Sequence, residues 1–270
     1  MPQEAELARA FSARGAEPPP AIECHETLGS TNDRMKQLAR RGAAEGTIVL
    51  ADRQTGGRGR ERRTWVSPAG GLYLSILLRP RCAELSLLPL AAGVAVAETA
   101  AEHGLPVALK WPNDVVVRSR PSLSRDEPSE RKLAGILAEA VSGASGAEWV
   151  VLGVGVNLTT CGLSAELAKQ AAGLDEGTSG APDLATVAAA IVTRLRVWYD
   201  AVSSSPRSVV EAWRAHALAW WGEPVAVRTA GETLRGRLVD IDDQGALLID
   251  VSGETRRLLS GDVVRLRRED

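Results

Sequence analysis

Hydrophobic residues in the first part of the chain form short runs whose spacing predicts strands and a helix. Three runs bounded by turn residues have the length and composition of strands, namely Ala21–Thr27, Thr47–Asp52 and Leu72–Leu78. Met35, Leu38 and Ala39 recur at helical spacing between the first two runs. This helix follows a Ser-Thr-Asn capping sequence and stops before Gly42. The order predicted here is therefore strand, helix, strand, strand.

The middle of the chain predicts a long helix followed by several strands. Leu85–His103 is an Ala-rich helical segment that ends at Gly104. Four apolar runs follow it, Val107–Trp111, Val115–Arg118, Leu133–Ala140 and Trp149–Val156. Because short connections favour antiparallel neighbours, the pattern indicates an α+β fold with a mixed or antiparallel sheet. The link Ser119–Arg131 is polar and contains two prolines, so we expect a mobile excursion there.

The two ends of the chain differ from this central part. Asp183–Ala201 and Pro206–Trp220 predict two helices, and five short β runs follow from Gly222 onward. About 50 residues in five strands suit a small barrel. At the amino end, Glu4–Arg14 predicts a short helix that Gly15 and three prolines terminate. We divide the chain into an N-terminal extension (residues 1–20), a main domain (21–220) and a C-terminal barrel (221–270).

Composition narrows the class of protein. The chain has 270 residues, 44% of them hydrophobic and 24% charged, as in ordinary soluble proteins. A net charge of −2 disfavours a nucleic-acid binder, which usually carries a basic domain. Cys24, Cys82 and Cys161 are far apart and the three histidines are scattered, which indicates neither a disulfide framework nor a metal site. The amino terminus lacks a signal-peptide core, and Leu87–Ala97 is too short to span a membrane, so we expect a cytoplasmic protein.

The segment GGRGRERRTW, Gly56–Trp65, concentrates positive charge. From Arg53 to Arg63 there are five arginines against one glutamate, with three glycines among them. Such a segment cannot bury itself, and guanidinium groups suit phosphate and carboxylate oxygens, so we expect it to fold around an anion. It is not a nucleotide-hydrolase phosphate loop, because no GK[ST] follows. A solvated basic loop is the alternative.

Two more motifs lie near predicted strand ends. KWPND places Lys110, Asn113 and Asp114 close together at a turn, although Asn and Asp also occur in plain hairpin turns. In KLAGIL, Lys132 leads into an apolar strand whose glycine would let a ligand or another backbone approach closely. A charge at a strand edge is the simpler interpretation of Lys132.

Two motifs that flank these segments carry small and polar residues. Gly153 and Gly155 in GVGVN weaken an apolar strand, which indicates that something packs against its backbone. GVGVN is not a dinucleotide fingerprint, because the third glycine and the following helix are missing. Ser30, Thr31 and Asn32 in GSTN form the other motif, and a plain helix cap is the simpler interpretation of these residues.

Taken in order, GSTN, Q-T-G-G-R-G-R-x-x-R-x-W, KWPND, KLAGIL and GVGVN resemble the biotin protein ligase family, also called biotin–[acetyl-CoA-carboxylase] ligases. Each motif alone is weak, but five in register over about 130 residues are specific. The resemblance runs from about Ile22 to the carboxyl end. It implies a class II synthetase-like α+β catalytic domain with an SH3-like barrel at the carboxyl terminus.

The resemblance also implies a two-step reaction. The family joins biotin to AMP at the expense of ATP and then passes the biotinyl group to one lysine of a biotin carboxyl carrier domain. Biotin and ATP with Mg²⁺ are then substrates, and no tightly bound metal or organic cofactor is implied. In the first step two anions must meet, and arginines with a lysine would lower that barrier by positioning and electrostatic stabilisation.

Roles for single residues follow from matching positions. The resemblance implies catalytic roles for Lys132, Arg58, Arg60 and Asp114, with Lys132 bridging the biotin carboxylate and the α-phosphate. It implies biotin contacts for Ser30, Thr31, Asn32, Gln54, Arg58, Gly59, Arg60 and Lys132. It implies nucleotide contacts for Arg60, Arg63, Trp65, Asn113 and Asn157. Asp114 would lie near the adenylate, where it orients the incoming amine or helps to hold Mg²⁺.

This sequence departs from the family pattern at two places. The family commonly has a glycine in G-R-G-R-x-G-R, where Arg62 stands here. If that position has a positive φ, Arg62 is strained by about 1 kcal/mol or more. Some family members repress transcription through an amino-terminal winged helix, and about 20 residues before Ile22 are too few for one. The resemblance therefore implies a ligase without DNA binding.

Two other functions compete with this one. A lipoate-protein ligase has a similar fold and a lysine before an apolar strand, but GRGR with KWPND favours biotin and the RRxSGGG stretch of lipoate ligases is missing. A non-catalytic binder of small molecules or nucleic acid is disfavoured by the overall acidity. The expected partner is the carrier domain of acetyl-CoA or a related carboxylase, without nucleic acid or membrane, and the protein is expected to be a monomer or homodimer.

Overall fold

A seven-stranded sheet forms the centre of the protein. The computed structural model describes residues 4–15, 21–81, 84–118, 130–143, 146–178, 180 and 182–266. The strands of the central sheet are β1 (Ile22–Leu28), β2 (Ile48–Gln54), β3 (Gly71–Leu78), β4 (Val107–Lys110), β5 (Asp114–Arg118), β6 (Glu130–Gly143) and β7 (Gly146–Asn157). Their order is β1-β2-β3-β7-β6-β5-β4. Since β1 and β2 are parallel and the other neighbours antiparallel, the predicted α+β fold with a mixed sheet is confirmed.

Helices cover both faces of this sheet. The helices are α1 (Glu4–Ser12), α2 (Thr31–Arg40), α3 (Leu88–Glu102), α4 (Ala165–Gln170), α5 (Leu184–Ser204) and α6 (Pro206–His216). Leu50 and Ile76 point into the main core with α3, α5 and α6, whereas Leu77 and Val151 pack with Met35 of α2 on the opposite face. This alternation follows from the period of two in a strand. The face that carries α2 also carries the candidate site.

The amino-terminal helix belongs to the core. Leu7 and Phe11 of α1 are fully buried and lie in the same hydrophobic cluster as the α3 and α5 side chains. The helix itself agrees with the prediction for Glu4–Arg14, but its burial was not foreseen. A segment of so few apolar residues gave no sign of which surface would receive it. Residues 16–20, which include the three prolines, lie outside the described residues.

The five β runs at the carboxyl end form a second sheet. Its strands are β8 (Pro224–Arg228), β9 (Thr233–Ile241), β10 (Leu247–Val251), β11 (Glu254–Leu258) and β12 (Asp262–Arg265). They pair antiparallel in the order β11-β10-β9-β8-β12. Val225, Leu247 and Val263 join the hydrophobic core of the main sheet. This C-terminal sheet therefore packs directly on the central part, next to the candidate site.

The longest apolar segment is a core helix. A stretch from Leu85 to Glu102, 18 residues with a mean hydropathy of 1.3, is long and apolar enough to cross a membrane by length and composition. It exceeds the run Leu87–Ala97 considered from sequence. However, 67% of the stretch is buried inside the protein. The side chains of this helix pack against the central sheet and α5, which explains why the segment is so apolar.

The predicted elements differ from the observed ones mainly at their ends. Strand β6 begins at Glu130 and ends at Gly143, and β7 begins at Gly146, so this hairpin is longer than its apolar runs. The short helix α4 was not predicted. Most of the expected mobile link Ser119–Arg131, residues 119–129, lies outside the described residues.

Candidate active site

A cleft on the α2 face of the sheet brings the sequence motifs together. It lies above neighbouring parts of β3, β5, β6 and β7 and holds about 800 Å³, including space open to solvent. Among its lining residues are Ser30, Thr31, Asn32, Gln54, Arg58, Gly59, Arg60, Arg63, Trp65, Asn113, Asp114 and Lys132. Every site residue named from the sequence except Asn157 therefore lines one cleft.

Uncharged polar groups form the inner end of the cleft. The Gln54 Oε1 atom accepts hydrogen bonds from the Thr31 backbone N at 2.8 Å and from Thr31 Oγ1 at 3.1 Å. The Ser75 hydroxyl lies 2.6 Å from Asn32 Oδ1 and 2.8 Å from Thr31 Oγ1. Ser30 is the N-cap residue that precedes α2, and its side chain makes no capping hydrogen bond. Thr31 and Asn32, for which a helix cap was the simpler interpretation, thus belong to a buried network of amide and hydroxyl groups.

The glycines of β6 and β7 make room for two side chains. A Cβ on Gly153 would lie 2.4 Å from Asn32 Oδ1, and a Cβ on Gly155 would lie 2.7 Å from the indole Nε1 of Trp65. Gly135, which pairs with Gly155, lies beneath the same indole. The sequence indicated that something packs against this backbone, and the structure identifies Asn32 and Trp65.

Lys132 reaches the cleft because of a β-bulge. The pairing of β5 with β6 shifts between Val115 and Val116, which leaves Leu133 as an extra residue. Lys132 and Gly135 would otherwise point to opposite faces, yet a Cβ on Gly135 would lie 3.3 Å from Lys132 Cε. Bulges commonly redirect a side chain beside an active site. Lys132 is therefore not a solvated charge at a strand edge.

The Lys132 ammonium group has two partners in the cleft. Its Nζ lies 2.7 Å from Asp114 Oδ1 and 5.2 Å from the centre of the Trp65 ring. Asp114 pairs with Gly135 at the start of β5, directly after the Pro-Asn turn. A lysine between a carboxylate and an aromatic ring is held in place and can present its charge to an anion.

Glu139 binds two cations and an amide next to the cleft. Its carboxylate accepts hydrogen bonds from Lys36 at 2.6 Å, Asn32 at 2.8 Å and Arg58 at 3.0 Å, while Arg58 also bonds to Asp33 at 2.7 Å. Burial alone would raise the pKa of the Glu139 carboxyl. The hydrogen bonds from Lys36 and Asn32, with the charges of Lys36 and Arg58, outweigh burial and hold that pKa below its usual value.

The C-terminal sheet supplies partners for the other arginines. Arg60 donates to Asn113 Oδ1 at 3.2 Å and to the Gly261 carbonyl at 3.5 Å. Arg63 bonds to the carboxylate of Asp262 and, at 3.2 Å, to Glu61. Burial lowers the pKa of the Arg60 guanidinium, although arginine stays charged at neutral pH. The loop between β11 and β12 thus closes one side of the cleft.

The arginine loop has an unfavourable backbone conformation. Arg62 has a φ of 61° and Glu61 a φ of 54°, in the left-handed region that favours glycine. The condition stated from the sequence, a positive φ where the family commonly has glycine, is therefore met at Arg62. Left-handed backbone costs about 1–2 kcal/mol per residue with a side chain.

Asn157 lies beside a neighbouring cavity instead. This cavity adjoins the cleft and shares Thr64, Trp65 and Lys132 with it, and its remaining walls include Asn157, Leu163, Leu167 and Ala171. The Asn157 side chain donates to the Lys132 carbonyl at 3.1 Å. Within the described part of the chain, the buried Nε1 of Trp65 has no hydrogen-bond partner. Trp65 thus separates two cavities with different walls.

Sequence reasoning missed Asp262, which lines the cleft, and two residues that bond to its lining side chains, Ser75 and Glu139. Ser75 is the single polar residue in the buried strand β3, and Glu139 is a lone acid in the apolar part of β6, so each was a visible exception to its pattern. Buried polar groups of this kind usually have partners. Asp262 had no such signal, because nothing in the sequence placed the C-terminal sheet beside the cleft.

No protein metal site is evident in the part of the chain that the structure describes. Among those residues, no group of three or more His, Cys, Asp or Glu side chains could hold a metal ion.

The fold and the cleft define a class of ligases that attach a small carboxylic acid to protein. Residues 25–157 match the family described as "Biotin/lipoate A/B protein ligase family". Residues 221–266 match the "Biotin protein ligase C terminal domain". The first description covers both biotin and lipoate ligases, whereas the second is specific to biotin protein ligases.

Individual relatives make the assignment more specific. The chain is 34% identical over 248 residues to a biotin–[acetyl-CoA-carboxylase] ligase of Mycobacterium tuberculosis, covering 88% of this chain and 86% of that protein. It is 31% identical to the bifunctional ligase/repressor BirA of Bacillus subtilis, over 88% of this chain and 72% of the relative. The biotin protein ligase from Aquifex aeolicus, solved with biotin and ATP, has a TM-score of 0.76 at 29% identity, covering 92% and 99% of the two chains. The chain therefore belongs to the biotin protein ligase family and is a ligase.

Proposed function

We propose that this enzyme activates biotin with ATP and transfers it to a lysine of a biotin carboxyl carrier domain. In the first step a biotin carboxylate oxygen bonds to the α-phosphorus of ATP, and pyrophosphate leaves with the electrons of the broken P–O bond. In the second step the lysine nitrogen bonds to the acyl carbon and AMP leaves. The amine proton passes through the Asp114 carboxylate to solvent.

The position of Lys132 carries this proposal. Its ammonium group lies where the cleft meets the cavity beside Asn157, held by Asp114 and the Trp65 ring. A cation at that junction can contact both a carboxylate and an α-phosphate, and it stabilises the charge that develops as they approach. Arg58 and Arg60 lie in the same cleft and strengthen the positive field.

The uncharged inner end of the cleft suits biotin. The ureido ring of biotin needs hydrogen-bond donors and acceptors without net charge, and Thr31, Asn32 and Gln54 supply amide and hydroxyl groups already held in place. A site that matches polar groups in this way discriminates strongly against analogues that lack them. Ser30, Arg58 and Gly59 line the same cleft.

The cavity beside Trp65 suits the nucleotide base. Trp65 offers a flat face, Leu163 and Ala171 offer apolar walls, and Asn157 offers an amide at the rim. Arg60, Arg63 and Asn113 lie in the cleft, where the phosphates would extend from this base. Mg²⁺ would arrive with ATP and neutralise part of the triphosphate charge.

The acceptor, the compartment and the assembly are parts of the same proposal. The name of the Mycobacterium tuberculosis relative supports a carrier domain of acetyl-CoA carboxylase as acceptor. The composition supports a cytoplasmic protein that binds neither nucleic acid nor membrane. Among the described residues, β6 beyond Ile136 pairs only with β7, and such an open edge supports a homodimer as the alternative to a monomer. Light scattering with and without biotin and ATP would distinguish the two.

Transfer of labelled biotin tests the reaction. The protein is incubated with labelled biotin, ATP, Mg²⁺ and a carrier-domain fragment, and label on the fragment is measured. We expect one label per fragment and none when its acceptor lysine is replaced by arginine. A fragment that stays unlabelled while ATP is intact would contradict the proposal. Parallel reactions with lipoate in place of biotin test the related ligase activity.

A further inference from the structure

A further cavity shares Arg60 with the active cleft but has no lining residue in common with the cavity beside Asn157. It is bounded by the β4–β5 turn, the amino end of α3 and the C-terminal sheet, and it holds about 600 Å³ including space open to solvent. Most of its walls are apolar, and among its described lining residues Arg60 is the only charged one. We call it the side cavity.

The side cavity and the active cleft share a wall. Arg60, Asn113, Ile136 and Leu137 line both. The Arg60 guanidinium bonds to Asn113 Oδ1 at 3.2 Å and to the Gly261 carbonyl at 3.5 Å, so these groups form the partition between the two spaces. A ligand phosphate that engages Arg60 would compete with these contacts, and the partition stands next to the proposed reaction centre.

The C-terminal sheet forms the outer part of the side cavity. Trp111 Nε1 donates to the Gly245 carbonyl at 3.0 Å, and Ser86 Oγ donates to the Gln244 carbonyl at 2.7 Å. These bonds fix the β9–β10 hairpin against the main domain. Leu259, which is 70% exposed, stands where this cavity meets solvent. The cavity thus leads from the protein surface to Arg60.

We propose that the side cavity is the channel through which the acceptor lysine reaches the activated acyl group. This inference rests on the proposed function, in which biotin and ATP occupy the cleft and the cavity beside Trp65. The third reactant then needs its own path to the same carbon atom. A lysine has a long aliphatic stem and a polar end, which match apolar walls that terminate at a polar partition.

The surroundings of the channel also favour the reactive form of the amine. Only the neutral amine is a nucleophile, whereas a free lysine is protonated at neutral pH. Apolar walls and the positive charge of Arg60 both disfavour an ammonium ion, so they lower the pKa of an amine that enters. The neutral nitrogen then attacks the acyl carbon as the bond from that carbon to the phosphate oxygen breaks.

Leu259 allows a test that leaves the first step untouched. Leu259→Trp narrows the mouth of the channel, whereas Leu259→Ala widens it, and the exposed position tolerates either side chain. Val197 on α5 is 65% exposed and distant in sequence from both cavities, so Val197→Trp is the matched control. Pyrophosphate exchange reports biotinyl-AMP formation. Single-turnover transfer from preformed biotinyl-AMP is then measured to a carrier-domain fragment and to Nα-acetyl-lysine amide.

We expect Leu259→Trp to slow transfer to both amines about tenfold or more while pyrophosphate exchange stays within about twofold of wild type. The Leu259→Ala and Val197→Trp variants should transfer biotin to both amines at the wild-type rate. Unchanged transfer in Leu259→Trp would overturn the inference. So would a loss confined to the carrier fragment, because Leu259 would then belong to a docking surface. Absence of biotinyl-AMP from the wild-type protein would instead overturn the proposed function, and this inference with it.

Discussion

The Lys132 Nζ atom lies 2.7 Å from Asp114 Oδ1, and the two residues come from different strands that meet at a β-bulge. Asp114 pairs with Gly135, so the bulge at Leu133 is what brings Lys132 to the same face. The pair is partly exposed, which keeps both groups accessible to ligands. Asp114 therefore holds the ammonium group in position before any anion arrives.

Removal of the Lys132 charge should affect the first step selectively. We expect Lys132→Ala to lower the rate of biotinyl-AMP formation by about 100-fold to 1,000-fold, because one preorganised charge at the reacting phosphate is lost. The rate of biotin transfer from added biotinyl-AMP to the carrier-domain fragment should fall far less. Lys169→Ala on α4, where the lysine is 73% exposed, is the control. Pyrophosphate exchange at the wild-type rate would remove Lys132 from the mechanism.

Glu139→Gln should reduce stability in a pH-dependent way. The substitution keeps the shape but removes the charge that Lys36 and Arg58 contact, and we expect the free energy of unfolding at pH 7 to fall by about 1.5–3 kcal/mol. Since the folded-state pKa of Glu139 lies below its ordinary value of 4.5, its stabilisation is complete above that value and is lost as pH falls through the folded-state pKa. The difference between the two proteins should therefore shrink only below about pH 4.5.

Denaturant unfolding between pH 3 and 8 measures this difference. Glu211→Gln on α6, where the carboxylate forms an exposed pair with Arg207, should change stability little. A difference for Glu139→Gln that is constant down to pH 3 would contradict the assignment. Glutamine offers one neutral acceptor oxygen where Glu139 offers two charged ones, so Lys36, Asn32 and Arg58 can no longer all keep their hydrogen bonds. Because Asn32 and Arg58 are then held less firmly, the KM for biotin should rise more than the KM for ATP. An equal rise in both would mean that Glu139 acts only on the fold.

Sequence motifs located the cleft well, and the reasons lie in local chemistry. The glycines of β7 indicated close packing from the strand pattern alone, and Asn32 and Trp65 indeed lie against them. The sheet face on which the Lys132 side chain lies could not be predicted in the same way. A bulge of one residue reverses the alternation of side chains between the two faces of a strand. Burial of Phe11 and the approach of Asp262 depend on contacts between distant parts of the chain, which local patterns do not encode.

The conformation of Arg62 predicts an order of biotin affinities for substitutions at this position. Arg62 is exposed and has a φ of 61°, so the backbone rather than the side chain sets the cost. Asn tolerates this region better than Arg, glycine adopts it freely, and a β-branched residue tolerates it least. We expect the biotin affinity to rank Arg62→Gly and Arg62→Asn at or above wild type, and Arg62→Val below it.

Isothermal titration with biotin measures this ranking. The gain for glycine should be about 1 kcal/mol at most, because the extra freedom of glycine in the open loop offsets part of the relieved strain. Arg53→Val, at an exposed position outside the left-handed region, controls for loss of one arginine. If Arg62→Val bound biotin as tightly as Arg62→Gly, the positive φ would have no part in forming the site.

Gly155→Ala should separate nucleotide binding from biotin binding. The added Cβ would lie 2.7 Å from Trp65 Nε1, so the indole must move away from the sheet. The Trp65 indole forms the boundary of the cavity proposed for the base, whereas the Thr31 and Gln54 network reaches Trp65 only at its backbone carbonyl, through Ser67. We therefore expect the affinity for ATP to fall about tenfold or more, while the Kd for biotin stays within about threefold of the wild-type value.

Gly231→Ala, where a Cβ meets no atom within 4 Å, is the matched control. Titration of each ligand alone distinguishes the outcomes, and an equal loss of both affinities would show that Trp65 supports the whole cleft and not the nucleotide side alone.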